Sequence, residues 1–345
     1  MSRRALTLSA AGVLVVVLSA IAALLPVPYV VLSPGPTANT LGSLDSKELI
    51  QIDGHRTYPD RGHLDLTTVA VLGGPSRRMD LVTALRGWLD SRLAVVPRED
   101  IYPPDETAKQ ADQQSAAEMT QSQQSATTAA LRNLGYNVTT TTYITQVEKG
   151  SGAQGVLRTG DVILSVDGQP VTGPARLRAL ITRHQPGESV RLEVSRHGSR
   201  LARTVRTHAA KGGRAIIGVV TGIRAHYPFT VHISLNDVGG PSAGLMFALG
   251  ITDKLTPGSL TGGRYIAGTG EIDDQGKVGP IGGIPQKMIA ARESGASAFL
   301  VPAGNCAEAL GSAPGGLRLI RVTSLSSAIH SLDLLRAGKT DLPHC

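Results

Sequence analysis

Asn236-Asp237-Val238-Gly239-Gly240-Pro241-Ser242-Ala243-Gly244-Leu245-Met246-Phe247-Ala248-Leu249 is the stretch on which the reading of this chain turns. A Gly-Gly-Pro turn delivers one serine to the start of an apolar run with helical character. Pro241 has φ preset near the helical value and no N–H, so it suits a first helical turn. Ser242 then falls where backbone N–H groups lack helical partners and the dipole is positive. That setting favours an alkoxide or an oxyanion. The same residues also read as a capped core helix behind a glycine-rich turn, and the stretch alone does not separate the two. Asp237 is nearest to the serine among the acids and reads as a turn residue.

A second stretch bears on the first. Gly282-Gly283-Ile284-Pro285-Gln286-Lys287-Met288-Ile289-Ala290-Ala291-Arg292 reads as a turn followed by a helix starting near Pro285. Lys287 lies in the first turn of that helix, where the dipole disfavours a cation. Burial would lower its pKa further, and a neutral lysine can take a proton from a serine hydroxyl. A Ser–Lys pair is a known variant of the hydroxyl–base couple. Taken alone, a lysine beside an apolar face also reads as a snorkelling surface residue.

Together the two stretches resemble the proteolytic domain of the Lon protease family. The resemblance takes in Gly240–Gly244, Thr269-Gly270-Glu271-Ile272, Gly276-Lys277-Val278 and Pro280-Ile281-Gly282-Gly283 leading to Lys287. It implies that Ser242 is the nucleophile, Lys287 the base, and Thr269 a hydroxyl that positions the lysine. One departure is visible. Many Lon proteases carry Asp three residues before the serine, and this chain has Gly239. The resemblance also implies a homo-oligomeric ring, and it points to protein or peptide substrates. No ATPase module is read in the sequence, so the implied hydrolysis is ATP-independent and needs no cofactor.

The 345 residues leave room for two domains and an anchor. With 41% apolar residues but only 3% aromatic, the cores are expected to be aliphatic. The formal charge of +7 suits an anionic surface. Basic residues are scattered and no nucleic-acid motif appears, so no nucleic-acid partner is expected. Ala5–Leu25 is a run of 21 residues without a charge, long enough for a helix to cross a bilayer. Arg3 and Arg4 ahead of it favour a cytoplasmic N-terminus and an extracytoplasmic remainder, a single-pass cell-membrane protein. Ala20-Ile21-Ala22 also has the form of a signal-peptidase site. We expect a retained anchor over 1–28.

Residues 29–137 read as a linker with Ser33-Pro34-Gly35-Pro36-Thr37, then a strand over Leu64–Val71 and a helix over Met79–Leu93. The only tryptophan, Trp88, is expected in the core of that part. The strand–helix pair resembles the opening of a Lon proteolytic domain, which would then be split by an insert. Over 105–134 we expect a largely exposed connecting helix, or two shorter ones, without chemistry.

Residues 138–210 resemble a PDZ domain of the kind attached to bacterial proteases, and Gly160-Asp161-Val162-Ile163-Leu164-Ser165-Val166-Asp167-Gly168-Gln169-Pro170-Val171 carries that likeness. A PDZ domain takes a peptide as an added strand. By position, its binding loop is expected near Thr142, Tyr143, Ile144 and Thr145. A spacer without a ligand is the plainer alternative.

Residues 211–342 are expected to hold the main proteolytic part, with strands over 215–220, 229–235, 298–302 and 319–322 and a helix over 324–336. Strands and helices mix without a strict βαβ rhythm, which reads as α+β. The expected fold is thus α+β, a Lon-type proteolytic domain with an inserted or preceding PDZ β-sandwich and an N-terminal transmembrane helix. His232, ten residues before the serine, is a weaker candidate base than Lys287. No H-E-x-x-H string supports catalytic zinc, and Gly338-Lys339-Thr340 lacks the earlier glycine of a P-loop. Cys306 and Cys345 allow one pairing, which the sequence leaves open. Two function classes follow: a Ser–Lys endopeptidase with a PDZ domain for substrate binding or regulation, or a non-cleaving, membrane-tethered PDZ adaptor.

Overall fold

The computed structural model describes residues 3–44, 46–75, 79–210, 212–235 and 238–345. Two compact units divide it: Met1–Gly135 with Phe229–Cys345, and Tyr136–Pro228. The expected turn role of Asp237 lies outside the described residues. In chain order the first unit opens with α1 (Arg3–Leu24), β1 (Tyr29–Asn39), β2 (Ile50–Asp53), β3 (His63–Leu72), α2 (Leu81–Leu89), β4 (Ala94–Pro97) and α3 (Ala108–Asn133). The second unit contains β5 (Thr139–Val147), β6 (Val162–Val166), α4 (Pro174–Ile181), β7 (Ser189–Arg196), β8 (Ser199–Arg206) and β9 (Val219–His226). The first unit then resumes with β10 (Thr230–Ile233), α5 (Gly244–Leu255), β11 (Tyr265–Gly268), β12 (Glu271–Ile272), β13 (Val278–Gly279), α6 (Ile284–Glu293), β14 (Ala298–Pro302), α7 (Cys306–Gly311), β15 (Arg318–Val322) and α8 (Leu325–Arg336).

The main sheet of the first unit has the order β15-β14-β11-β3-β1-β4. Strands β3, β11, β14 and β15 are parallel, while β1 runs antiparallel between β3 and β4. All five residues of β14 are buried and apolar, as a parallel strand covered on both faces must be. The run β11–α6–β14–α7–β15 is a parallel βαβαβ unit, so the α+β expectation is corrected to a mixed sheet with a wound half. The short β12–β13 hairpin, set between β11 and α6, hides that rhythm in the sequence.

The Ser33–Thr37 segment, expected as a linker, lies inside β1. Its two prolines coincide with a break in register against β3 between Pro34 and Thr37. There the Thr68 hydroxyl donates to the Pro36 carbonyl at 2.7 Å. Helix α3 is also more than a connector. Thr107 and Gln110 form a capping box at its start, and from Met119 to Leu131 much of it is buried. Residues 115, 119, 122, 126 and 129 recur at helical spacing, and most are small, so the α5 backbone approaches closely. Helix α5 is buried along its whole length; its first eight residues are apolar, and Thr252, Asp253 and Lys254 near its end are buried as well.

Helix α1 ends at Leu24, and Pro26–Val27 pairs with Met79–Asp80. Among the described residues no helix is long and apolar enough to cross a membrane. The spanning anchor expected over 1–28 is therefore not borne out. Trp88, expected in the core, is 54% exposed.

The second unit has a main antiparallel sheet, β8-β7-β6-β5-β9, and a two-stranded pair of His208–Ala209 with Ala215–Ile216; its core includes Ile144, Leu157, Ile163, Leu177, Val190 and Val194. The β-sandwich expectation is corrected accordingly: α4, whose Leu177, Leu180 and Ile181 enter that core, takes the place of a facing sheet. The unit runs on to Pro228 because β9 pairs with β5 along its length. Residues 219–220, expected in the proteolytic part, pair within this sheet. Arg196 donates to both oxygens of the buried Asp161, at 2.7 and 2.8 Å. Burial would raise the Asp161 carboxyl, but the Arg196 hydrogen bonds outweigh it and hold the pKa below the usual range.

Candidate active site

The turn before α5 departs from the expected geometry in one respect. The helix begins at Gly244, so Pro241 and Ser242 precede it rather than form its first turn. The Ser242 carbonyl is committed elsewhere. It accepts the Gly270 N–H at 2.8 Å and the Thr269 hydroxyl at 3.0 Å, which ties the serine to the end of β11. Helix α3 holds the other side of the turn. The Gly240 N–H donates to the Ser115 carbonyl at 3.0 Å, and the Ser122 hydroxyl donates to the Pro241 carbonyl at 2.9 Å. Gly239, where the resemblance leads one to expect Asp, faces Ser115 so closely that a Cβ would collide with its hydroxyl. The N–H groups of Ser242 and Ala243 have no hydrogen-bond acceptor among the described residues.

Lys287 arrives from the opposite side. Gly283, in the left-handed conformation at φ 68°, caps α6, and Pro285 occupies its first turn. Lys287 sits one turn in, 3% exposed. Its Nζ lies 2.7 Å from Ser242 Oγ and 3.1 Å from Thr269 Oγ1. Two segments 45 residues apart thus converge on one hydrogen-bonded contact. Burial pushes the lysine down to about 8, against the opposing pull of the Glu271 carboxylate. With the amine neutral, Nζ–H donates to Thr269 Oγ1, Thr269 donates to the Ser242 carbonyl, and the lone pair is left for the serine hydroxyl.

A cavity of about 400 Å³ opens onto this contact. Thr67–Ala70 of β3 line one side, Ile281 and Gly282 another, with Met119 of α3 and Glu271 beside Ser242 and Lys287. Beyond Leu66, β3 no longer pairs with β11, so the strand edge from Thr68 to Ala70 borders the opening. Ile281 is fixed by Asn305, which accepts its N–H at 2.9 Å and donates to its carbonyl at 2.8 Å. Cys306, next to that asparagine, is disulfide-bonded to Cys345.

The structure thus brings Ser242, Lys287 and Thr269 together. His232 is not among the cavity residues; it lies 61% exposed on β10, 3.8 Å from Asp53. The sequence reading missed Ser115, Met119, Ser122 and Asn305. The small-residue periodicity of α3 was a usable signal for the first three, and nothing local marked the fourth.

Residues 215–327 match the family model of the Lon protease (S16) C-terminal proteolytic domain. That stretch is similar to the proteolytic domain of Lon-type serine peptidases. A Lon protease from Halothermothrix orenii is 33% identical over 128 residues, 36% of this chain and 16% of its own. One from Roseiflexus castenholzii is 34% identical over 106 residues, 30% of this chain and 13% of its own. The matches thus span about a sixth or less of these curated relatives' length. Residues 119–207 match the PDZ domain model. A probable periplasmic DegP-like serine endoprotease from Pseudomonas fulva is 46% identical over 54 residues, 16% of this chain and 11% of its own. The PDZ domain of an SdrC-like protein from Listeria monocytogenes is 21% identical, covers 23% of this chain and 85% of its own, and has a TM-score of 0.23, too low to add to the assignment.

The family matches and the compact units have different edges. The PDZ match begins inside α3, and the Lon match begins at 215, before β9. We follow the packing, because α3 lies against α5 of the peptidase unit and β9 completes the PDZ-unit sheet. The expected PDZ loop is corrected as well. Thr142, Tyr143, Ile144 and Thr145 lie within β5, which pairs with both β6 and β9. Thr142 and Ile144 are buried, so this stretch offers no free edge to a peptide.

Proposed function

We propose that the chain is an ATP-independent serine endopeptidase in which Ser242 is the nucleophile, Lys287 the general base and Thr269 the hydroxyl that orients the lysine. The 2.7 Å approach of a buried amine to a serine hydroxyl carries the reading. Neutral Nζ removes the hydroxyl proton as Oγ attacks the scissile carbonyl carbon. The developing oxyanion falls to the N–H groups of Ser242 and Ala243 ahead of α5, where the helix dipole adds to their effect. The protonated lysine then returns the proton to the leaving amine, which departs and leaves an acyl-serine. Lysine next activates a water that hydrolyses the ester and restores the hydroxyl. An extended peptide would lie against the Thr68–Ala70 edge of β3.

For the PDZ unit we propose a substrate-binding or regulatory role through β9, the outer strand of its sheet, rather than through β5. Val220 and Ile223 are 47% and 43% exposed there. Hydrogen exchange of the full chain checks this: β9 amides slow on adding substrate polypeptide, and unchanged exchange removes the groove. A ring assembly and attachment to the cell membrane through residues 1–28, with the peptidase domain outside the cytoplasm, complete the proposal. Sedimentation and protease accessibility of intact cells test them.

The deciding experiment compares the wild-type chain with Ser242→Ala for fluorophosphonate labelling and for hydrolysis of an unfolded protein, with and without ATP. Labelling and cleavage are expected only with the serine, at rates indifferent to ATP. Cleavage by the variant would remove Ser242 as the nucleophile, and a wild-type chain that neither labels nor cleaves would leave the non-cleaving PDZ adaptor as the better reading.

A further inference from the structure

Helix α2 turns its apolar residues outward. Ala84 and Gly87 are buried beneath it, whereas Val82, Leu85, Trp88 and Leu89 are 37%, 46%, 54% and 88% exposed. Single exposed apolar residues need no explanation, but four on a nine-residue helix make a patch. The patch continues into its surroundings. Helix α1 packs against α2, and the Pro26–Val27 pairing places the end of α1 directly beside the start of α2. Leu25 is 52% exposed at that junction. The Tyr29 ring meets Trp88 edge-on with centroids 5.6 Å apart. Arg86, exposed on the same helix, adds positive charge.

What covers this face is indicated by α1. Its residues Val13, Leu14, Val15, Val16, Val17 and Leu18 are all exposed. Six consecutive residues point in every direction around a helix. A second protein copy covers one side of such a helix, whereas acyl chains cover all sides. A surface continuous with α1 therefore meets the same solvent.

We propose that α2 is a membrane-docking surface that lies in the lipid–water interface, with Val82, Leu85 and Leu89 toward the acyl chains and the Tyr29–Trp88 pair at headgroup depth. The basic chain favours anionic lipid. The docking requires only that α1 contact lipid. It fixes which side of the peptidase unit faces the bilayer.

Trp88 is the only tryptophan in the chain, so its emission reports on this helix alone. The test adds vesicles of phosphatidylglycerol and phosphatidylcholine to the full chain. The expected result is co-sedimentation, a shift of Trp88 emission to shorter wavelength, protection from iodide and quenching by brominated acyl chains. The Leu85→Ser/Leu89→Ser variant is expected to lose the shift and the quenching, and to partition roughly tenfold more weakly. Co-sedimentation with Trp88 still open to iodide would overturn the proposal, since lipid would then hold α1 but not α2. Failure to sediment overturns it too. A lipid-free shift that grows with protein concentration would assign the face to a second copy instead. None of these readouts involves hydrolysis, so they stand or fall apart from the peptidase reading.

Discussion

Lys287 is asked to be buried and to stay useful, and the two demands set its pH behaviour. A base must be neutral, and with the pKa near 8 roughly a tenth of the molecules hold a neutral amine at pH 7. Turnover of the full chain is therefore expected to rise with pH and to level off above about 8; a flat profile from pH 6 to 9 would remove the lysine as base. Stability moves with the same group. The unfolded lysine titrates near 10.5, so between about 8 and 10.5 the unfolded chain binds more protons than the folded one, and stability rises with pH across that window. Below it, the folded state must bury a charge. Lys287→Met is thus expected to abolish hydrolysis yet stabilise the protein at pH 7 by roughly 3 kcal/mol, an advantage that fades toward pH 10.5 in denaturant titrations. Thr269→Val removes the hydroxyl between Nζ and the Ser242 carbonyl. We expect kcat to fall roughly 10- to 100-fold with little change in KM, and Thr269→Ser to retain most of the rate. At this scale the family resemblance was informative: it singled out Ser242, Lys287 and Thr269, which lie within hydrogen-bond distance of one another in the fold. The anchoring of the Ser242 carbonyl to Gly270 was not legible, because a hydrogen bond to a backbone atom leaves no mark on residue identity.

Among elements, α3 was the one most misread. Its Ala, Ser, Thr and Gln content suggests exposure, yet small side chains are what let it press on α5 and hold the turn before Ser242. Gly239 records that contact. Gly239→Ala is expected to push the turn away from Ser115 and lower turnover at least tenfold, because small misplacements of a nucleophile are costly. Pairing it with Ser115→Gly opens the space and should restore part of the rate, whereas an additive loss in the kinetic double-mutant cycle would rule out the steric account. Strand β1 was misread for a related reason. Proline and glycine at 34–36 signal a linker, but the strand absorbs them as a register break next to Thr68. Asn305 was invisible because its partner, Ile281, lies 24 residues away. In the PDZ unit, removing the Asp161 carboxylate with Asp161→Ala leaves Arg196 without its buried partner. Unfolding of that unit is expected about 3 kcal/mol earlier in a urea titration, with Lys287-dependent hydrolysis of a short peptide unchanged.

For the whole molecule, the split of the peptidase unit was legible in the strand–helix pair ahead of the PDZ motif. Its true edges were not, because β9 looks like any apolar strand until its partner is known. The same holds for the winding of β11, β14 and β15, which the β12–β13 hairpin masks. The exposure of Trp88 escaped too, since an amphipathic pattern gives the width of an apolar stripe and not what lies opposite it.

The interrupted layout of the peptidase unit has a consequence for biosynthesis. Strands β1 and β3 and helix α3 leave the ribosome first but find α5, β11 and β14 only after the insert and much of the remainder have been made. The inserted sheet is complete once residue 228 has emerged, so a nascent chain can carry a finished PDZ module while Ser242 and Lys287 are still untranslated or unassembled. Such an order postpones the meeting of Ser242 and Lys287 until translation is nearly over.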